Sequence, residues 1–255
     1  MNKRVLSLTL LLACLGLMTM QAEGRKVESF NSGWSFKKAP AEKELAINAP
    51  KWDKGWSEVE IPHTWNAKDM QVQANSFYEG AAYYKKQYFF PTELKDKRVF
   101  LRFEGVGSCA EVFVNGMLAT SHKGGYSAFA CEISPLLKAG EENEIIVKAD
   151  NKSRPDVIPV NHNLFGVYGG IYRPVWLVVT EPYNISVTDC ASPGVYITQK
   201  NVSKKQADVK VKVKLDNGTL QPAPVTLQNT IYDQEGKQVA THSQSFELSA
   251  QGEQA

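Results

Sequence analysis

Apolar and polar residues alternate with a period of two along most of this 255-residue chain, and no long helical pattern follows the N-terminal apolar run. Val99, Leu101 and Phe103 share one face of the stretch Arg98 to Glu104, and Ala110, Val112 and Val114 share one face of the next. Both stretches read as half-buried strands. Asn115-Gly116 separates Glu111-Val112-Phe113-Val114 from Met117-Leu118-Ala119-Thr120, and this dipeptide between strand-like runs predicts a hairpin, because both central residues need positive φ. Further strands are expected at Tyr83 to Phe90, Phe129 to Ile133, Ile145 to Ala149 and Val175 to Thr180. From Asn151 to Tyr168 the periodicity fades around Pro155 and Pro159; connections of that length without structure of their own are often binding loops.

The pattern divides the chain. Residues 27–182 read as an all-β sandwich, a jelly roll by strand count. A boundary falls at Glu181-Pro182-Tyr183, and shorter strands follow at 184–187, 195–198 and 207–215. In the last of these, Val209, Val211, Val213 and Leu215 alternate with Lys210, Lys212 and Lys214, as expected of a strand with one wet face. Thr226 to Tyr232 and Gln238 to His242, joined through Asp233-Gln234-Glu235-Gly236-Lys237, predict a second hairpin. Residues 183–255 resemble an immunoglobulin-like β-sandwich, which normally takes about 100 residues and seven strands, so this unit is expected to be incomplete.

Composition narrows the function classes. A 43% apolar content is enough for a substantial core, and 29 Lys and Arg against 27 Asp and Glu leave too weak a field to draw nucleic acid or anionic lipid. The expected partners are neutral or small, and the oligomeric state stays open. Asn2-Lys3-Arg4, the apolar run Val5 to Met18, which is too short to span a membrane, and the small residue Ala22 read as a signal peptide over residues 1–22. Leu11-Leu12-Ala13-Cys14 also loosely matches a lipobox, so export to the periplasm or to the cell surface through acylated Cys14 are both open. Removing the leader leaves Cys109, Cys131 and Cys190, an odd number beside apolar segments, expected as three packed thiols. No His or Cys pair has zinc-like spacing, and neither a metal nor another cofactor is expected.

Several motifs occur in a characteristic order: Gly33-Trp34-Ser35-Phe36, Ile61-Pro62-His63-Thr64-Trp65-Asn66, Phe113-Val114-Asn115-Gly116, Gly124-Gly125-Tyr126, and Tyr168-Gly169-Gly170-Ile171-Tyr172-Arg173-Pro174-Val175-Trp176. In this the chain resembles glycoside hydrolase family two, and most nearly its bacterial β-galactosidase branch, over about residues 27 to 255. The resemblance implies a sugar-binding jelly roll, an immunoglobulin-like domain, and then a (β/α)8 barrel carrying two catalytic glutamates. Retaining glycosidases hold those carboxyl groups about 5 to 5.5 Å apart. No residue of this chain matches either glutamate, so no catalytic residue is expected here and the barrel is a missing partner. Glu104 and Glu111, both near strand ends, read as solvent-facing carboxylates or, far less simply, as a pair meeting across a sheet.

The resemblance further implies two substrate-binding candidates for a β-galactoside-like carbohydrate. Asp150 matches an Asp-containing turn that reaches the sugar pocket in relatives; Asp150-Asn151 leaving a strand reads equally as an Asx-turn. At a strand end, its substitution is expected to affect folding little. Asn163, in His162-Asn163-Leu164-Phe165, stands where many relatives carry Asp, with one residue inserted and without the charge. Arg173 is expected to pair with a carboxylate and lock the loop, Tyr168 and Tyr172 to pack or stack on a sugar ring, and His63 and Trp65 to pack between domains. Phe77-Tyr78-Glu79-Gly80 corresponds to another pocket-edge loop. Three functions remain open: the noncatalytic N-terminal part of an exported β-galactosidase-type enzyme or its β-glucuronidase or β-mannosidase relatives, a stand-alone lectin-like module, or an interaction sandwich.

Overall fold

The computed structural model describes residues 24–39, 55–69, 77–160, 166–250 and 253–254. The expected leader with Cys14, and Asn163 with its neighbours at 161–165, lie outside the described residues. Two antiparallel sheets face each other up to Thr180. One is built in the order β1 (Lys26–Ser29), β10 (Val175–Thr180), β5 (Arg98–Phe103), β8 (Phe129–Glu132). The other runs β3 (Ser57–Val59), β2 (Trp34–Lys38), β4 (Ala81–Phe89), β9 (Glu142–Asp150), β6 (Cys109–Val114), β7 (Met117–Lys123). Helical structure among the described residues is limited to short 3-10 turns.

The alternation seen in the sequence sets which faces meet. Val99, Leu101 and Phe103 of β5 and Val175, Leu177 and Val179 of β10 share one core cluster with Ala110, Val112 and Val114 of β6 and Ile145, Val147 and Ala149 of β9. The hairpin between β6 and β7 turns at Asn115 (φ 51°) and Gly116 (φ 79°) as expected. The Asn115 amide also donates to Leu136 O at 2.8 Å and Asn143 Oδ1 at 2.7 Å, tying the tip to the neighbouring strand end. The first strand closes late: Lys26 pairs with Val179 and Ser29 with Trp176, and Val175 N donates to Asn31 Oδ1 at 2.8 Å.

The outer face of the four-stranded sheet is less wet than its alternation implies. Phe100 of β5 and Val178 of β10 are buried there against Val187, which belongs to the segment that follows the sandwich. That segment opens three small sheets. β11 (Tyr183–Ile185), β14 (Leu215–Asn217) and β17 (Glu253–Gln254) form one, β12 (Val195–Lys200) pairs with β13 (Asp208–Val213), and β15 (Ala223–Tyr232) pairs with β16 (Gln238–Leu248). The run expected as one strand over 207–215 is broken at Lys214, whose N–H donates to Gly194 O (2.8 Å) and whose carbonyl accepts from Ser186 N (2.9 Å). Its apolar side is covered unevenly: Val213 is buried and Val209 is exposed. The cysteines also differ from the expectation of three packed thiols: Cys131 is buried, Cys109 half-buried, and Cys190 exposed, all unpaired.

Candidate functional site

Asp150 is the last residue of β9, in register with Ala81 of β4 and Cys109 of β6, where the sheet gives way to the long loop. It is only 5% exposed. Its Oδ1 accepts the Lys152 N–H at 2.8 Å, which is the Asx-turn, and its Oδ2 accepts from Arg154 Nη2 at 2.8 Å. The turn therefore exists, and it leaves one oxygen in a charge-assisted bond rather than in solvent. Beside it lie two buried polar atoms without hydrogen-bond partners, Ser108 Oγ and Arg154 Nε. Ser108 N donates to the Asp150 carbonyl at 2.8 Å, so the two residues are held side by side.

The loops at this end are fastened by two amides that sequence reasoning missed as functional positions. Asn151 and Asn66 are both fully buried, and Asn151 Nδ2 donates to Asn66 Oδ1 at 3.2 Å and to Val167 O at 2.8 Å. Asn151 Oδ1 accepts from Gly80 N at 2.9 Å, and Asn66 Oδ1 from Gly169 N at 2.8 Å. One pair of side chains thus joins both ends of the long loop to the loops at 66 and 80. The sequence signal was present as two Asn residues at the ends of motifs, but nothing local indicates that they meet.

The Gly-Gly pair answers to the same crowding. A Cβ on Gly169 would sit 1.9 Å from the Trp65 ring, and Gly170 has φ +118° with the His63 carbonyl 2.5 Å from where a Cβ would stand. His63 and Trp65 thus pack inside the first sandwich, not between units: Trp65 against Phe36 and Tyr78, and His63 Nδ1 within 2.8 Å of the Tyr84 hydroxyl. Burial lowers the His63 pKa and raises that of Tyr84, so both are neutral at pH 7.

Aromatic rings crowd the rim. Tyr168 is 45% exposed with its ring 6.3 Å from that of Phe77, Tyr126 is 64% exposed, and the Tyr172 hydroxyl donates to Gly125 O. The Arg173 guanidinium lies 5.8 Å over Tyr172, and its charge helps hold the Glu104 carboxyl below the usual range. The larger cause of that lowering is the Trp176 indole N–H, which donates to Glu104 Oε1 at 2.8 Å. Glu104 and Glu111 do not meet. Glu104 follows β5 in one sheet, whereas Glu111 belongs to β6 in the other and pairs with Lys148 at 3.0 Å. Among the described residues no group of three or more His, Cys, Asp or Glu is arranged to hold a metal ion. The arrangement can therefore grip hydroxyl groups, with one carboxylate, two donors in need of acceptors and nearby aromatic rings, and among the described residues it brings no acid and nucleophile together.

Comparison with known proteins gives matching results. The pattern described as "Glycosyl hydrolases family 2, sugar binding domain" matches residues 27–182, and that described as "Glycosyl hydrolases family 2" matches residues 193–255. A β-glucuronidase of Bacteroides fragilis is 45% identical over 159 residues, covering 62% of this chain and 23% of the relative. A crystal structure of a protein from Bacteroides fragilis assigned as a β-galactosidase superposes with a TM-score of 0.86 at 72% identity, covering 91% of this chain and 34% of that one. Bacteroides uniformis β-glucuronidase superposes with a TM-score of 0.82 at 30% identity, covering 90% and 27%. The chain spans between about a quarter and a third of these proteins.

Proposed function

Because the chain belongs to glycosyl hydrolase family 2, we propose that it supplies the noncatalytic, substrate-recognising N-terminal part of an exported β-galactosidase-type hydrolase. The observation that carries the site is the buried Asp150 carboxylate flanked by the orphaned Ser108 Oγ and Arg154 Nε. A sugar hydroxyl donates to the carboxylate and accepts from either neighbour, relieving atoms whose burial is otherwise uncompensated. Asn163 is the second proposed contact. Acid and nucleophile come from the barrel expected beyond residue 255. A β-glucuronide is the second reading for the substrate, supported by the name of the relative that is 45% identical. Export rests on the leader pattern of residues 1–22, with a mature start near Glu23; intact mass carrying acyl chains on Cys14 would replace it with a membrane anchor.

The test exchanges this chain for the matching segment of the Bacteroides fragilis protein that is 72% identical to it. The chimera should hydrolyse a chromogenic β-galactoside, and Asp150→Ala within it should lower kcat/KM by about 10 to 100 fold. The 255-residue chain alone should show no turnover. Hydrolysis by the chain alone, surviving removal of host β-galactosidase, would overturn the division of labour.

A further inference from the structure

A second cleft lies away from the loop-end site, on the outer face of the four-stranded sheet. Alternation sends Phe100 and Arg102 of β5 and Trp176 and Val178 of β10 outward, with Trp176 in register with Arg102. At one end the segment around Val187 covers this face. Beside Val187, where that covering ends, a cavity of about 290 Å³ is lined by Val27, Trp176, Pro193, Arg25, Arg102 and Glu104. That volume is at the small end of ligand pockets, about 300 to 1,000 Å³, and suits a single ring.

The walls are built to a fixed shape. The Trp176 indole N–H and Arg102 Nη1 both donate to Glu104 Oε1, at 2.8 and 3.0 Å, and Arg102 Nε donates to Ala191 O at 3.1 Å. Arg25 Nη2 donates to Ile185 O at 2.5 Å, fastening the stretch before β1 to the segment after the sandwich. These bonds lock the orientation of the indole and of Arg102 and join both units around the cavity. The charge is unbalanced. Burial and the neighbouring Arg102 guanidinium pull the Arg25 pKa down, with Asp216 acting the other way. Arg173 adds a third cation near Glu104, which is the one carboxylate lining the cavity. An aromatic wall beside repelling guanidiniums is the combination that accepts a ring carrying an anion, since a carboxylate takes paired N–H donors and an indole takes the apolar face of a pyranose.

We propose that this junction cleft is a carbohydrate subsite for a pyranose bearing a carboxylate, a hexuronic acid residue, separate from the loop-end site at Asp150. The ring lies against Trp176 and its carboxylate bridges Arg25 and Arg102. Occupancy holds the two units together, because the ligand contacts residues of both.

The test is titration of the full chain, labelled with nitrogen-15, with D-glucuronate and separately with D-galactose, following the Trp176 indole N–H resonance. Glucuronate should shift that resonance saturably in the millimolar range, and galactose should shift it at least about tenfold more weakly. Arg25→Gln, in the stretch before β1, should weaken glucuronate binding by about tenfold while leaving the spectrum otherwise folded. Asp150→Asn should leave it unchanged. The proposal fails if no saturable shift of Trp176 appears, if galactose binds as well as glucuronate, if Arg25→Gln has no effect, or if Asp150→Asn abolishes the shift, which would assign the ligand to the loop-end site. Failure here leaves the Asp150 reading standing, because the chimera assay reads a different site.

Discussion

Replacing Asp150 by alanine removes an acceptor from two donors at once, and the structure sets the size of the effect. The Lys152 N–H loses its 2.8 Å partner and with it the turn that starts the long loop, a loss of about 1 kcal/mol by analogy with other side-chain caps. Arg154 loses a charge-assisted bond at 2.8 Å, but its side chain is 39% exposed and can turn to water, so the ion pair is worth nearer about 1 kcal/mol than the full value of a buried one. The sum, about 2 kcal/mol, corresponds to a fall of about 4 to 8 °C in Tm for a unit of this size. The sequence alone placed Asp150 at a strand end with little consequence for folding; its burial and two bonds reverse that expectation. Asp150→Asn separates the two roles, since an amide oxygen keeps the Lys152 N–H satisfied while the charge and the bond from Arg154 are lost. Differential scanning fluorimetry should therefore show about half of the lost Tm returned in the asparagine variant, while its kcat/KM in the chimera stays low. An alanine variant that melts within about 1 °C of the parent chain would refute the burial argument. An asparagine variant with full activity would confine Asp150 to the turn.

Gly169→Ala should lower stability by about 3 kcal/mol or prevent folding, because its Cβ would fall 1.9 Å from the Trp65 ring in a packed interior; unchanged urea unfolding would contradict that geometry. His63 and His122 both have pKa values lowered by burial, so the folded state binds their protons less well than the unfolded chain: their contribution is intact above about pH 6.5 and is lost as pH falls through the folded values. Melting scans from pH 7 to 5 should show Tm falling, and a His63→Asn, His122→Asn double variant should flatten the slope; a level profile in the unaltered chain would refute this. Iodoacetamide should label Cys190 in the folded protein, and Cys131, whose thiol burial pushes up to about 12, only on unfolding; peptide mapping that finds the reverse order would overturn the burial assignment.

What the sequence could show was decided by locality. The faces of β5 and β6 were legible because alternation persists for several residues and one side enters the core; the hairpin at Asn115-Gly116 was legible because positive φ is written into the dipeptide. β1 was not, since Lys26 to Ser29 are all exposed and the strand exists through its backbone ladder to β10. The break at Lys214 was invisible for a similar reason: the alternation continues through it, and the carbonyl and amide that divert the chain belong to Gly194 and Ser186. At the site, the turn at Asp150 could be read from Asp-Asn, but not the burial of its carboxylate. The Asn66–Asn151 junction joins residues 85 apart, and no pattern in either stretch announces the other.

The pairing of β1 with β10 also orders events in time. A chain emerging from its amino end carries Lys26 to Ser29 long before Trp176 to Val179 exist to receive them, so the four-stranded sheet lacks its two adjoining strands until residue 180 has appeared. Such sequence-distant closure is slow, because a long loop must be ordered before the ladder repays it. Until then only β5 and β8 can cover the apolar sides of β6 and β9, the core lacks Val175, Leu177 and Val179, and the polypeptide stays open enough to be captured by a chaperone. Folding of the first unit is thus gated by the arrival of its last strand, and a chain stopped short of Val175 should fail to fold however complete its motifs.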